Sequence, residues 1–383
     1  MTRCLTPILL LLAAFLLPTP VFSQPSLGSS SAVLMELDSG RLLWEKEGSL
    51  RWPPASTTKI LTALLVLENE GMEEKVKVSR RAATTAGSSA WLQEGEELTV
   101  RDLLYALLLP SANDAAVALA EKVGGSVEEF VRLMNEKALQ LGAKNSHFAN
   151  PHGLPQEDHY STARDLALIT REAWKDPNFR QIVGTRTWEV PCPGRQVNRL
   201  FYNRNRLLWE YPAARGVKTG FSLTSGPCLV AAASNREMEL CAVLLNSQQA
   251  FGEAAQLLEY GFSYWEKVPV ASRGIMVRTL PLSGGREDRL PLVYQKSLFL
   301  PLQEGEEGQL RREEDLPTGV RAPVKKGAPL GTVSFWLGQE KVGEVTLAAG
   351  KDVERAPLWG LFLKRLLESV RAAWRFLPRY LTR

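Results

Sequence analysis

The sequence predicts an α/β protein in two folded units, the sheet of the first being assembled from strands at both of its ends around inserted helices. Three observations predict it. Strand-like apolar runs stand at 32–37 and 42–45 and return between 226 and 245, while much of 100–175 is helix-periodic. Over 267–352 the texture changes to short apolar runs separated by glycine and proline, the pattern of a small β-rich domain. The segment 353–383 then carries apolar and basic residues on opposite faces of a helix.

At 383 residues the chain has material for two cores, and 45% hydrophobic with 23% charged residues is the composition of an ordinary globular protein. A net charge of +4 is small for this length and gives no reason to expect a nucleic-acid partner.

Residues 1–23 have the layout of a secretion signal peptide. Arg3 supplies positive charge, Ile8 to Leu17 an apolar stretch too short to cross a bilayer, and Val21-Phe22-Ser23 a site for cleavage before Gln24. Cys4 leaves with the signal, so the mature chain keeps Cys192, Cys228 and Cys241. Three cysteines make no disulfide framework and permit at most one bridge. Cys228 and Cys241 lie in neighbouring strand-like runs, where packing as small apolar residues is favoured over pairing.

A hairpin with Asp38-Ser39-Gly40-Arg41 at its turn leads to Ala55-Ser56-Thr57-Thr58-Lys59 and the apolar run Ile60 to Leu67, a buried helix stopped near Gly71. On one helix Ser56 and Lys59 share a face, so hydroxyl and amine meet. A lysine desolvated at the base of an apolar helix has a pKa low enough to take the serine proton. The unpaired N–H groups of the first turn are suited to an oxyanion. The pair alone is unspecific, because an N-cap serine followed by a surface lysine gives the same letters.

A helix from Val100 to Leu109 is stopped by Pro110, and Ser111-Ala112-Asn113-Asp114 leads into a second, Ala115 to Val123. Ser126-Val127-Glu128-Glu129 is a capping box opening a third, and Thr162 caps a fourth that runs to Lys175. All three histidines fall in the loop 145–160; their spacing suits no common zinc motif, and no cofactor is expected. Strand character returns at 186–190, around Gly216-Val217-Lys218-Thr219-Gly220, and at 226–233 and 238–245, before a helix from Ala250 to Tyr264. In the β-rich domain, runs at 274–282, 290–299, 319–323, 331–336 and 342–347 suggest no chemistry, only a spacer or pedestal. In the last segment Trp359, Leu363, Leu366, Val370 and Trp374 oppose Lys364, Arg371, Arg375 and Arg379, as in a helix lying on a membrane surface.

Three short patterns thus stand in chain order: Ser56-Thr57-Thr58-Lys59, Ser111-Ala112-Asn113 and Lys218-Thr219-Gly220. At a helix–helix loop, Ser111 is suited to relay a proton and Asn113 to orient a peptide bond. On an edge strand, Lys218 and Thr219 suit an anionic group, and Gly220 lets a substrate backbone approach. Together they resemble the serine penicillin-recognising enzymes, and within these the low-molecular-mass penicillin-binding proteins that are D-alanyl-D-alanine carboxypeptidases. The likeness extends through Leu103–Ala116, Asn150-Pro151-His152-Gly153-Leu154, His159–Asp165, Asn203-Arg204-Asn205 and Pro323–Gly327, essentially the whole mature chain.

The resemblance implies a β-lactamase/transpeptidase-like catalytic domain over 24–266, an antiparallel sheet flanked by helices with a helical subdomain. A β-rich domain follows over 267–352, then a helix over 353–383 that attaches the secreted protein to the outer face of the cytoplasmic membrane. It implies acyl transfer on peptidoglycan stem pentapeptides, removing the terminal D-alanine. Ser56 is then the nucleophile, Lys59 its base and Ser111 the proton relay. Asn113 holds the substrate amide, and Lys218 and Thr219, beside Gly220 and helped by Arg204, hold the terminal carboxylate. The N–H groups of Ser56 and Phe221 hold the oxyanion, and β-lactams acylate Ser56. One departure is Arg215, where the family often has an acidic residue ahead of the glycine. A DD-endopeptidase cutting cross-links fits the same motifs. A non-catalytic wall-binding scaffold is opposed by the intact Ser56, Lys59, Ser111, Asn113 and Lys218. A class A β-lactamase is disfavoured, since no E-x-x-x-N element occurs between Ser111 and Lys218.

Overall fold

The structure, a computed structural model, describes residues 24–191, 198–235, 237–357, 359 and 369–370. The expected signal peptide, Cys192 and all but a few residues of the expected terminal helix lie outside them.

The central sheet joins both ends of the first unit. Its strands are β1 (Ser31–Glu36), β2 (Leu42–Lys46), β3 (Ala214–Ser222), β4 (Gly226–Ser234) and β5 (Glu239–Leu245). Their spatial order is β2-β1-β5-β4-β3, with every neighbouring pair antiparallel. Successive side chains point to opposite faces, and in the inner strands β1, β5 and β4 both faces are buried. Val33, Met35, Val230, Ala232 and Val243 pack on the helical side, whereas Ala32, Leu34, Leu229, Ala231 and Leu244 pack on the other. Burial on both sides is why these strands read as continuous apolar runs.

The helices α1 (Lys59–Asn69), α2 (Val100–Leu108), α3 (Asn113–Gly124), α4 (Val127–Gln140) and α5 (Ala163–Trp174) lie on one side of the sheet. Helix α6 (Ala250–Tyr264) covers the other. Thr99, Ser126 and Thr162 each accept a hydrogen bond from the N–H three residues on, so α2, α4 and α5 start where the capping residues stand. Cys228 and Cys241 are free and buried. Cys241 sits opposite Ala232 and Cys228 opposite Gly220, so the two are out of register and pack as apolar residues.

The structure differs from the sequence reading in several places. Ala55–Thr58 is a 3-10 turn, and α1 begins only at Lys59. The run 290–299 is two strands, Arg289–Tyr294 and Leu298–Leu302, because the chain turns at 295–297. A short helix, Pro177–Gly184, and the strands Arg199–Tyr202 and Arg311–Asp315 were not foreseen. The last is fully exposed and entirely charged, an edge strand without apolar alternation.

Beyond α6 the chain forms a six-stranded sheet and a two-stranded pair around Leu292, Leu300, Val333 and Leu347. Arg41 ties this unit to the first. Its side chain is 6% exposed, forms a two-pronged ion pair with Glu306 at 2.9 Å on each prong, donates to the Pro301 carbonyl and lies 4.6 Å from the Trp265 ring centre.

Candidate active site

A turn of 3-10 helix has three residues, so Ser56 and Lys59 are eclipsed rather than merely on one face. The Lys59 amine, fully buried, donates to Ser56 Oγ at 3.0 Å, Asn113 Oδ1 at 2.7 Å and the His152 carbonyl at 2.7 Å. No carboxylate bonds it among the described residues. Burial, then the charges of Lys218 and Arg204, push its pKa well below that of a free lysine, against a weaker opposing pull from Asp114.

Ser111 lies between α2 and α3 with φ of 70°. Its Oγ is buried and has no hydrogen-bond partner among the described residues, the state of a hydroxyl whose partner arrives with a ligand. Asn113 opens α3. Its Oδ1 accepts from Lys59 and its Nδ2 donates to the Ala86 carbonyl at 2.7 Å, which leaves one N–H on Nδ2 uncommitted.

Lys218, Thr219 and Gly220 lie on β3, the free edge of the sheet. Lys218 is 1% exposed and donates to the Thr219 carbonyl at 3.0 Å; burial and the Arg204 charge lower its pKa to about 7. Gly220 faces the nucleophile turn: a β-carbon there would stand 3.1 Å from the Ser56 nitrogen and 3.1 Å from the Pro54 carbonyl oxygen. Opposite Phe221 on β4 is Pro227, which has no N–H and whose carbonyl accepts from Ser247. The Phe221 N–H is therefore left facing the free edge, on the side of Ser56. Its side chain is exposed. Arg204 is exposed at the mouth, with Nη1 3.1 Å from Ser88 Oγ. Arg215 donates to the carbonyls of Pro212 and Ala214.

The sequence reading missed the backbone that holds this set. The His152 carbonyl supplies the third acceptor of Lys59, and Gly153, at φ of 86°, packs on Ala55. The buried Asp114 carboxylate accepts from the Ser89 hydroxyl and from the N–H groups of Ala90, Leu92 and Ala115. Carbonyls and close approaches leave no side-chain signature. The only signals were the Asn-Pro-His-Gly-Leu string and an aspartate directly after Asn113.

His152 and His159 are held in hydrogen bonds with neighbouring loop and helix groups. His159 Nδ1 accepts from the Ala149 N–H, so Nε2 carries the proton to Thr58 Oγ1 at 2.8 Å. His152 Nδ1 accepts from the Leu154 N–H. Burial lowers their pKa values to about 3 for His152 and about 4 for His159, so both are neutral at pH 7.

A serine hydroxyl bonded to a buried lysine amine, a buried serine hydroxyl left unpartnered and a cationic edge strand are the arrangement of a serine acyl-transfer enzyme of the penicillin-recognising kind. The chain belongs to the D-alanyl-D-alanine carboxypeptidase family, whose model matches residues 19–249; a second model, the C-terminal domain of penicillin-binding protein 5, matches 265–355. It is 35% identical over 350 residues to D-alanyl-D-alanine carboxypeptidase DacF of Bacillus subtilis, covering 88% of this chain and 89% of that one. It is 32% identical over 362 residues to DacA of Escherichia coli, covering 89% and 84%. Among solved structures, penicillin binding protein 5 from Haemophilus influenzae aligns with a TM-score of 0.73 at 27% identity, over 86% of this chain and 99% of that one. The chain is thus a serine hydrolase of the penicillin-binding, D-Ala-D-Ala carboxypeptidase type, a family acting on peptidoglycan peptides.

Proposed function

We propose that Ser56 attacks the carbonyl between the last two D-alanines of a peptidoglycan stem pentapeptide. The observation that carries this is the buried Lys59 amine, bonded to Ser56 Oγ and to no carboxylate among the described residues. Once neutral, Lys59 keeps its two N–H bonds to Asn113 Oδ1 and the His152 carbonyl and turns its lone pair to the Ser56 hydroxyl, whose proton it takes as Oγ bonds to the carbonyl carbon. The oxyanion is held by the N–H groups of Ser56 and Phe221. When the C–N bond breaks, the proton passes from Lys59 through the Ser111 hydroxyl to the departing D-alanine nitrogen. Water then attacks the ester, giving its proton to Lys59, and Ser56 leaves with a proton restored. Asn113 orients the substrate amide through its uncommitted N–H. Lys218 and Thr219, with Arg204 at the mouth, bind the terminal carboxylate, and Gly220 lets the peptide lie along β3.

The test is D-alanine release from a D-Ala-D-Ala tripeptide, with intact mass spectrometry after a penicillin. Ser56→Ala should abolish both release and the adduct while the protein stays folded. Continued release by that variant would sink the mechanism. An adduct without release in the natural protein would favour the DD-endopeptidase reading, and neither signal would favour a scaffold.

We further propose that residues 24–266 form the catalytic domain and 267–352 a pedestal, with 1–23 directing secretion and 353–383 binding the membrane surface. No described helix is long and apolar enough to cross a membrane; what supports surface attachment is the sequence of the tail, basic on one helical face and tryptophan-bearing on the other. A chain ending at Lys351 should leave the membrane fraction; unchanged sedimentation would remove the idea.

A further inference from the structure

Loop 84–93 reaches the active site from the side of Asn113. The carbonyls of Ala86 and Ser88 accept from the Asn113 side-chain nitrogen and backbone N–H, each at 2.7 Å. Against this loop lies a cleft of about 470 Å³, lined among others by Thr84, Thr85, Gly87, Ser89, Trp91 and Gln93, with no ionisable lining residue. Trp91 is 79% exposed and has φ of 59°, a left-handed conformation that bulky side chains rarely adopt. It is held there from both sides. Its N–H donates to Ser89 Oγ at 2.8 Å, its carbonyl accepts from Arg199 Nη2 at 3.0 Å, and the neighbouring Ala90 and Leu92 N–H groups are fixed by Asp114. A large apolar ring is thus presented to solvent on pinned backbone, so a ligand that stacks on it has little ordering cost to overcome.

We infer that this cleft is a subsite for the sugar that carries the stem peptide: a neutral hexosamine ring stacks on Trp91, and Thr84, Thr85 and Gln93 bond its hydroxyl and acetamido groups. The inference rests on the proposed action of Ser56 on peptidoglycan. Stem-peptide residues bring carboxylates and an amine, and a cleft built for them would offer countercharges. This one offers an indole among hydroxyl and amide side chains, the complement of a ring with a C–H face and a polar rim. Four stem residues separate the sugar from the scissile bond and span on the order of 14 Å. The sugar of a bound substrate therefore lies within reach of the walls of the catalytic cleft, to which loop 84–93 is bonded at Asn113.

The experiment compares D-alanine release from a disaccharide-pentapeptide and from the sugar-free pentapeptide. The natural protein should show a lower KM for the sugar-bearing substrate. Trp91→Ala should raise that KM about tenfold, to the sugar-free value, with kinetics on the sugar-free peptide unchanged, and Trp91→Tyr should keep most of the preference. Equal KM values in the natural protein, or a Trp91→Ala variant that slows both substrates alike, would overturn the inference. Absence of release from either substrate would overturn the reading of Ser56 as well, a result distinct from release without preference.

Discussion

A β-carbon on Gly153 would stand 1.8 Å from the carbonyl oxygen of Ala55, the residue before the nucleophile. Gly153 also has φ of 86°, so an alanine there is strained even before the clash. The obstacle is backbone on both sides and has no flexible end to yield. Gly153→Ala should push the Ser56 turn out of place and lower kcat/KM about a hundredfold, the effect of a displacement near 1 Å at a reacting group. Penicillin acylation kinetics would read this directly. An acylation rate within twofold of the natural protein's would show that the contact does not position Ser56.

The pH profile should follow two lysines of opposite duty. Lys59 must be neutral to act and Lys218 charged to bind, so kcat/KM rises as Lys59 loses its proton and falls as Lys218 loses its own, about pH 7 in the free enzyme. Arg204 depresses both. Arg204→Ala should therefore move both limbs to higher pH while raising KM on the order of tenfold, the worth of one charge-assisted hydrogen bond. Limbs that stay in place, or move in opposite directions, would contradict this. Stability runs the opposite way to the falling limb. Between about 7 and the 10.5 of an unfolded lysine, the unfolded chain holds a proton that folded Lys218 does not. Relative to Lys218→Met, the natural protein should gain stability as pH rises through that window and show no further change below it.

What the sequence made legible was side-chain chemistry with a regular period. Ser56 and Lys59 were readable because three residues bring side chains together on either type of helix, so mistaking a 3-10 turn for the start of α1 did not disturb the pair. Lys218 was readable because a cation and a hydroxyl beside a glycine suit an anionic ligand at an edge strand, and β3 is the free edge of the sheet. The acceptor at His152, the close approach at Gly153 and the loop clamp at Asp114 were not readable, since they depend on which backbone groups face each other across loops distant in sequence. The strand Arg311–Asp315 escaped because an exposed edge needs no apolar alternation.

Asp114 tests that hidden layer. Its buried carboxylate is met by N–H donors from Ala90, Leu92 and Ala115 and by the Ser89 hydroxyl. In Asp114→Asn an amide NH2 must face one of those donors. The substitution should cost about 2 kcal/mol, the penalty of unsatisfied buried groups. By loosening the carbonyls that hold Asn113, it should also lower kcat more than it raises KM. Denaturant unfolding together with steady-state kinetics separates the two effects, and a variant with natural stability would show that the carboxylate is not the clamp.

Arg41 and Glu306 join the two units away from the chemistry, which gives them a different signature. Arg41 is almost buried, and removing Glu306 or Arg41 alone leaves a partner charge short of its counterion. Arg41→Ala should destabilise the junction by about 2 kcal/mol, less than a fully buried pair because Glu306 keeps some contact with water. Activity on a small peptide should stay within twofold, since Arg41 touches none of the catalytic residues. Replacing both partners by apolar residues, Arg41→Met with Glu306→Leu, should recover most of the loss, because no charge is then left unpaired. Thermal unfolding of the two single variants and the double variant forms the cycle. If the double variant loses the sum of the singles, the pair does not couple the domains, and the junction rests instead on Lys267, which pairs with Asp38, and on the packing of Trp265.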